Sequence, residues 1–246
     1  MSLIATTSQV VSMMLLAADS SGRWFSNPVI TNNLLDATLE TIYMSLWSGL
    51  FSILLGLPIG LLLVATAPAG LLSGSKVARV LYAVLGFIVN VGRSLPFVIL
   101  MISIIPFTRL LVGTTLGWKA AVVPLTLAAA PFFARLVESN VQGVDSGKLE
   151  AAKMAGASNW QIMMGVQVRE ALPALIQSVT VTLISLIGYG AMAGTLGTGG
   201  LGALAMNYGY TRFMGDVMLV VVIDILLIVV IVQWLGDMLS RLVDHR

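Results

Sequence analysis

The chain has 246 residues, of which 58% are hydrophobic and 10% charged, with a formal net charge of +2. Soluble domains carry about 25% charged residues, so this composition excludes an ordinary soluble fold and indicates an integral membrane protein. The basic residues are scattered, which argues against nucleic acid as a partner. Cysteine is absent and His245 is the single histidine, which excludes disulfides, thiolate zinc sites and an imidazole metal cluster.

Residues 1–33 read as an N-terminal extension. Residues 10–18 (VVSMMLLAA) followed by Asp19 resemble a short signal h-region, yet no Lys or Arg precedes them. The expectation is an uncleaved extension at the outer membrane surface, with a cleaved signal as the alternative. A membrane-spanning body over residues 34–240 and a cytoplasmic tail over residues 241–246 complete the division of the chain.

A hydrocarbon core needs about 20 apolar residues per helix. Five segments qualify: residues 38–67, 77–107, 119–141, 171–193 and 216–239. The second is long and is broken by Arg93-Ser94-Leu95-Pro96, so it kinks or re-enters there. An odd number of spans puts the termini on opposite sides. One side collects Lys76, Arg79, Lys148, Lys153, Arg169, Arg241 and Arg246. The other has Arg23, Arg109, Lys119 and Arg212. The richer side is cytoplasmic by the positive-inside rule, which leaves the N-terminus outside and the C-terminus in the cytoplasm.

Two glycine patterns are false leads. Gly197, Gly199 and Gly202 form a GxGxxG, but outside any βαβ unit. GLLSGSK, residues 70–76, lacks the P-loop spacing and has Val77 where Ser or Thr is needed. No ATP site is expected in this chain, and no cofactor. Among buried charges, Arg135 and Glu138 are three apart and can pair on one helix face. Asp224 lies inside the fifth span. A central Asp costs about 2.5–3.5 kcal/mol, which aliphatic neighbours at roughly −0.3 to −0.6 each outweigh. The preferred reading is an inward-facing carboxylate bonded to a neighbouring helix. The rival is a proton-relay residue of an ion-coupled secondary transporter.

Residues 150–173, EAAKMAGASNWQIMMGVQVREALP, stand apart. Asp145 or Ser146 can cap a short helix running to about Ala155. Gly156 suits the left-handed residue that ends a helix. Ser158 with Gln161 is a capping box, so a second helix starts near Asn159 and runs toward the fourth span. Met154, Trp160, Ile162 and Met163 would be costly to leave in water, so a partner is expected on this segment.

Glu150, Ala151, Ala152, Gly156 and Val166 resemble the EAA motif of the binding-protein-dependent ABC importer permeases. Arg169 stands where that family usually has Pro, which bears on how the chain turns back to the membrane. Residues 92–117, 122–138 and 188–202, with Tyr208-Gly209-Tyr210, look like the methionine branch of that family. The likeness covers Leu34 to the C-terminus.

The resemblance implies an all-α fold of about five spans, with a coupling helix between spans three and four. It implies a non-enzymatic permease in the bacterial inner membrane. Glu150, Ala151, Ala152, Met154 and Gly156 would dock on a separate ATP-binding subunit, present in two copies. The permease itself would be a homodimer, served by a periplasmic or lipoprotein methionine-binding protein. Another amino acid or a small peptide is the alternative substrate. Tyr189, Met192, Gly194, Arg93 and Asp224 are the candidate pathway or gate residues.

Overall fold

The computed structural model describes residues 27–68 and 70–244; the features expected at residues 10–18, Arg23, His245 and Arg246 lie outside them. Among the described residues the fold is wholly helical, and five helices are long and apolar enough to cross a membrane.

Helix α1 (Pro28–Thr66) is the longest, at 39 residues or about 58 Å. Asn27 caps it, its side chain accepting from Val29 N–H at 2.9 Å, and Pro28 occupies the first turn. The apolar window starts near Thr38, but the helix begins ten residues earlier. Hydropathy marks where a helix enters lipid, and the segment Pro28–Ala37 is helical without being uniformly apolar. The helix therefore starts within the segment expected to be an extension.

Helix α2 (Lys76–Ser94) is capped by Ser75 and ends at Leu95-Pro96. Two short helices follow, α3 (Phe97–Ser103) and α4 (Ile105–Val112), separated at Ile104 by Pro106 in the next turn. The second span is thus a broken rod, as RSLP predicts, with a further break that the sequence reading did not place. Helix α5 (Trp118–Gln142) matches the expected third span closely.

Helix α5 packs along α1 so closely that side chains are excluded from the seam. A Cβ on Gly56 would lie 2.7 Å from the Ala130 carbonyl oxygen; one on Gly60 would lie 2.6 Å from that of Ala134. Small residues at such seams let backbones approach when lipid supplies no hydrophobic drive. Phe133, Val137 and Val141 of α5 pack with Val64 of α1 beside the seam.

The segment after α5 forms α6 (Ser146–Met154), then α7 (Asn159–Gln161). Helix α7 continues through a π-helical turn (Ile162–Gln167) into α8 (Val168–Ala193). A second π-helical turn (Gly194–Thr198) leaves the helical conformation at Leu196 and Gly197. The short α9 (Gly200–Leu204) and a third π-helical stretch (Ala205–Tyr210) run back, and α10 (Gly215–Val243) forms the last span. This hairpin is not an expected element; the sequence marks it only as a cluster of turn-permitting glycines.

Candidate functional site

The candidate docking segment is built by its caps. Asp145 Oδ1 accepts from Gly147 N–H at 2.7 Å and starts α6. At its end Gly156 takes φ +80. Gly156 N–H bonds the Lys153 carbonyl at 3.0 Å and Ala157 N–H bonds that of Ala152 at 3.1 Å, the paired closure of a Schellman motif. Ser158 and Gln161 complete the expected capping box: Ser158 N–H donates to Gln161 Oε1 at 2.8 Å, and Gln161 N–H to Ser158 Oγ at 3.4 Å.

Two contacts fasten this unit to the membrane domain. Lys148 Nζ bonds Glu170 Oε2 at 2.5 Å, tying α6 to the first turn of α8. Asn159 Nδ2 donates to the Leu71 carbonyl at 3.1 Å, tying α7 to the loop between α1 and α2. Helix α6 itself buries no residue. Glu150, Ala151 and Gly156 are exposed, Ala152 is half-buried, and Met154 is 90% exposed. Trp160, 69% exposed, walls an apolar groove of about 650 Å³ with Leu61, Leu62, Leu72 and Met164.

Two expectations change here. Ile162 and Met163 were expected to need a partner, but both are buried within the chain, because the π-helical turn rotates them inward. Arg169 raised the question of the turn back to the membrane. There is no such turn: the chain stays helical from Asn159 through Arg169, which is exposed near the start of α8. The extra residue of the π-helical turn, a feature common at functional sites, falls just before it.

The candidate pathway residues fall in separate places. Tyr189 stacks on Phe97 of α3, ring centroids 5.1 Å apart at 13°. Met192 is half exposed, one residue before the end of α8. Gly194 is buried at the hairpin crossing, where a Cβ would lie 2.5 Å from Ala203 N. Arg93 is exposed in the last turn of α2. Asp224 of α10 is half-buried and accepts from Thr38 Oγ1 of α1 at 2.5 Å, the helix-to-helix bond expected of an inward-facing carboxylate. Arg135 and Glu138 pair as expected, at 2.5 Å. Glu138 is buried and also accepts from Tyr82 Oη and Gln142 Nε2, each at 3.3 Å.

Sequence reasoning missed the residues that hold the hairpin after α8. Glu40 and Thr41 of α1 accept from the N–H groups of Gly200 and Leu201. Asn27 Nδ2 donates to the buried Asp216 Oδ2 at 2.8 Å and joins the start of α1 to the start of α10. These pairs are 160 and 189 residues apart, so no local pattern signals them.

Five candidate spans with a capped, exposed helix between the third and fourth define a multi-span membrane component. The match to the model of the binding-protein-dependent transport system inner membrane component covers residues 66–245. The chain belongs to that family. It is 50% identical over 210 residues to the probable D-methionine transport system permease protein MetI of Pasteurella multocida, covering 85% of this chain and 95% of that protein. It is 45% identical over 224 residues to the methionine import system permease protein MetP of Bacillus subtilis, covering 91% and 99%. A solved structure of the MetNI methionine ABC transporter in inward-facing conformations superposes with a TM-score of 0.84 at 41% identity, covering 89% of this chain and 100% of that one.

Proposed function

We propose that this chain is the permease subunit of an ATP-driven importer that carries methionine across the inner membrane. Two copies would form the channel, and two copies of an ATP-binding subunit would sit beneath them, each gripping one α6. The relatives named for methionine transport support the substrate. The charge distribution supports α6 on the cytoplasmic side, the N-terminus outside and the C-terminus inside. Methionine would arrive from a periplasmic or lipoprotein binding protein.

The observation that carries the mechanism is the exposed, doubly capped α6, with Met154 projecting 90% into solvent. Closure of the ATP-bound subunits would draw the two α6 helices together. The Lys148–Glu170 bond and the unbroken helix from Asn159 into α8 would pass that motion to the spans. ATP hydrolysis then resets the inward-facing form, so this chain needs stiffness where the partner needs catalytic groups.

The chain has no cysteine, so Met154→Cys introduces a single thiol. With a cysteine in the docking cleft of the ATP-binding subunit, oxidation should cross-link the two proteins in membranes. Efficient cross-linking from a cysteine placed at Val230 instead, with none from position 154, would contradict the docking assignment.

A further inference from the structure

Two of the exposed spans differ in what covers them. Within their most apolar windows, α10 is 17% buried by the chain and α2 only 11%. Helix α10 has a mean hydropathy of 3.0 and suits lipid; α2 has 1.3. Besides Lys76 and Arg79 at its start, α2 carries Asn90 and Arg93 toward its close, where the chain runs on into α3. Asn90 and Arg93 are both exposed, and neither side chain has a hydrogen-bond or ion-pair partner among the described residues.

Their depth follows from packing. A Cβ on Gly92 would lie 2.7 Å from Pro131 Cγ, and Pro131 is near the middle of α5. Arg93 therefore sits at mid-span. An unpaired guanidinium facing hydrocarbon at that depth is costly, and such groups almost always face a water-filled cavity or a bundle interior. The backbone agrees. Pro96 has no N–H to offer the Gly92 carbonyl, and a broken helix within a membrane is found where it lines protein or water.

We infer that the Asn90–Arg93 face of α2 lines the aqueous translocation path, and that Arg93 is a way-station for the α-carboxylate of the transported amino acid. This rests on the importer reading above. The guanidinium offers a paired donor fork to a carboxylate, and the adjacent Gly92 carbonyl offers an acceptor for the substrate's ammonium. Because Arg93 stays water-accessible, the contact is weak and transient, as a conduction step requires.

The absence of cysteine makes the test direct. Asn90→Cys and, separately, Val230→Cys on lipid-suited α10 are introduced into the otherwise unaltered chain, in proteoliposomes with the ATP-binding subunit. Anionic and cationic membrane-impermeant thiosulfonates are then applied. The inference predicts that Asn90→Cys reacts about tenfold faster than Val230→Cys and prefers the anionic reagent, since a lone charge in a cleft concentrates counter-ions. Arg93→Gln should abolish that preference and Arg93→Lys should keep it. In uptake assays Arg93→Gln should raise the apparent KM for methionine several-fold, with recovery in Arg93→Lys. Equal, slow labelling at both positions overturns the inference, as does a preference or KM unchanged by Arg93→Gln. If the unaltered chain shows no ATP-driven methionine uptake, the importer reading fails separately, and the labelling ratio still decides whether this face is aqueous and attracts anions.

Discussion

Glu40 on α1 accepts a hydrogen bond from the backbone N–H of Gly200 at 2.6 Å, and Thr41 beside it accepts from Leu201 N–H at 2.9 Å. These bonds cap α9 and pin the hairpin to α1, the longest of the described helices. The hairpin is shaped to receive them. Gly199 and Gly200 have φ of +81 and +73, and a Cβ on Gly199 would strike the Glu40 carboxylate. Hydrogen bonds to charged groups contribute about 1.5–3 kcal/mol, so Glu40→Ala should destabilise the hairpin by about 2 kcal/mol. Glu40→Gln, which keeps an acceptor oxygen, should recover part of it. Hydrogen exchange at Gly200 and Leu201 is the readout: faster in the Ala variant, intermediate in the Gln variant.

The α1–α5 seam makes a packing prediction. A Cβ on Gly60 would lie 2.6 Å from both the Ala134 carbonyl oxygen and Val137 Cβ. Neither can retreat, because one is backbone and the other is fully buried. Gly60→Leu should cost at least the roughly 1–3 kcal/mol of an overpacked core, read as a lowered Tm in detergent. Gly74→Ala, where a Cβ meets open space, should leave Tm nearly unchanged.

Asp224 separates the importer account from the ion-coupled rival. Its bond to Thr38 Oγ1 joins α10 to α1, and an asparagine at 224 retains an acceptor oxygen for that hydroxyl. Asp224→Asn should therefore keep most ATP-driven uptake and lose about 1 kcal/mol of stability. Abolished transport, together with collapse of wild-type transport on adding a protonophore, would favour the rival.

The Lys148–Glu170 bond is partly exposed, with side chains 48% and 31% accessible. Such pairs contribute about 0–1 kcal/mol. Lys148→Ala should leave Tm within about a degree or two of wild type, yet lower the uptake obtained per ATP hydrolysed, because α6 loses its tie to α8. A parallel fall in stability would assign the bond to folding alone.

Much of this was legible before any coordinates. Spans three and five stand out because their apolar windows coincide with whole helices. Helix α6 stands out because its signals are local: Asp145, Gly156 and the Ser158–Gln161 box act within a few residues of one another. Pro96 predicts the break in span two by removing an N–H. The unread parts depend on tertiary contact. Nothing near Gly200 announces Glu40. The inward rotation of Ile162 and Met163 needs a π-helical turn that no residue pattern specifies. Arg93 stands out as a charge within an apolar run, but only the packing of Gly92 on Pro131 shows that it lies beside the middle of α5.

The central claim is that ATP bound elsewhere drives methionine through this chain by way of α6. The most direct measurement is uptake of labelled methionine into proteoliposomes holding this chain and its ATP-binding subunit, with binding protein outside and ATP within. The comparison is with Gly156→Asp. That position has φ +80 and open space around it, so the substitution strains the helix stop and charges the docking face without disturbing the spans. The account predicts ATP-dependent uptake that Gly156→Asp abolishes while membrane insertion is retained. Full uptake by Gly156→Asp, or uptake that an ion gradient drives with no ATP, would contradict it.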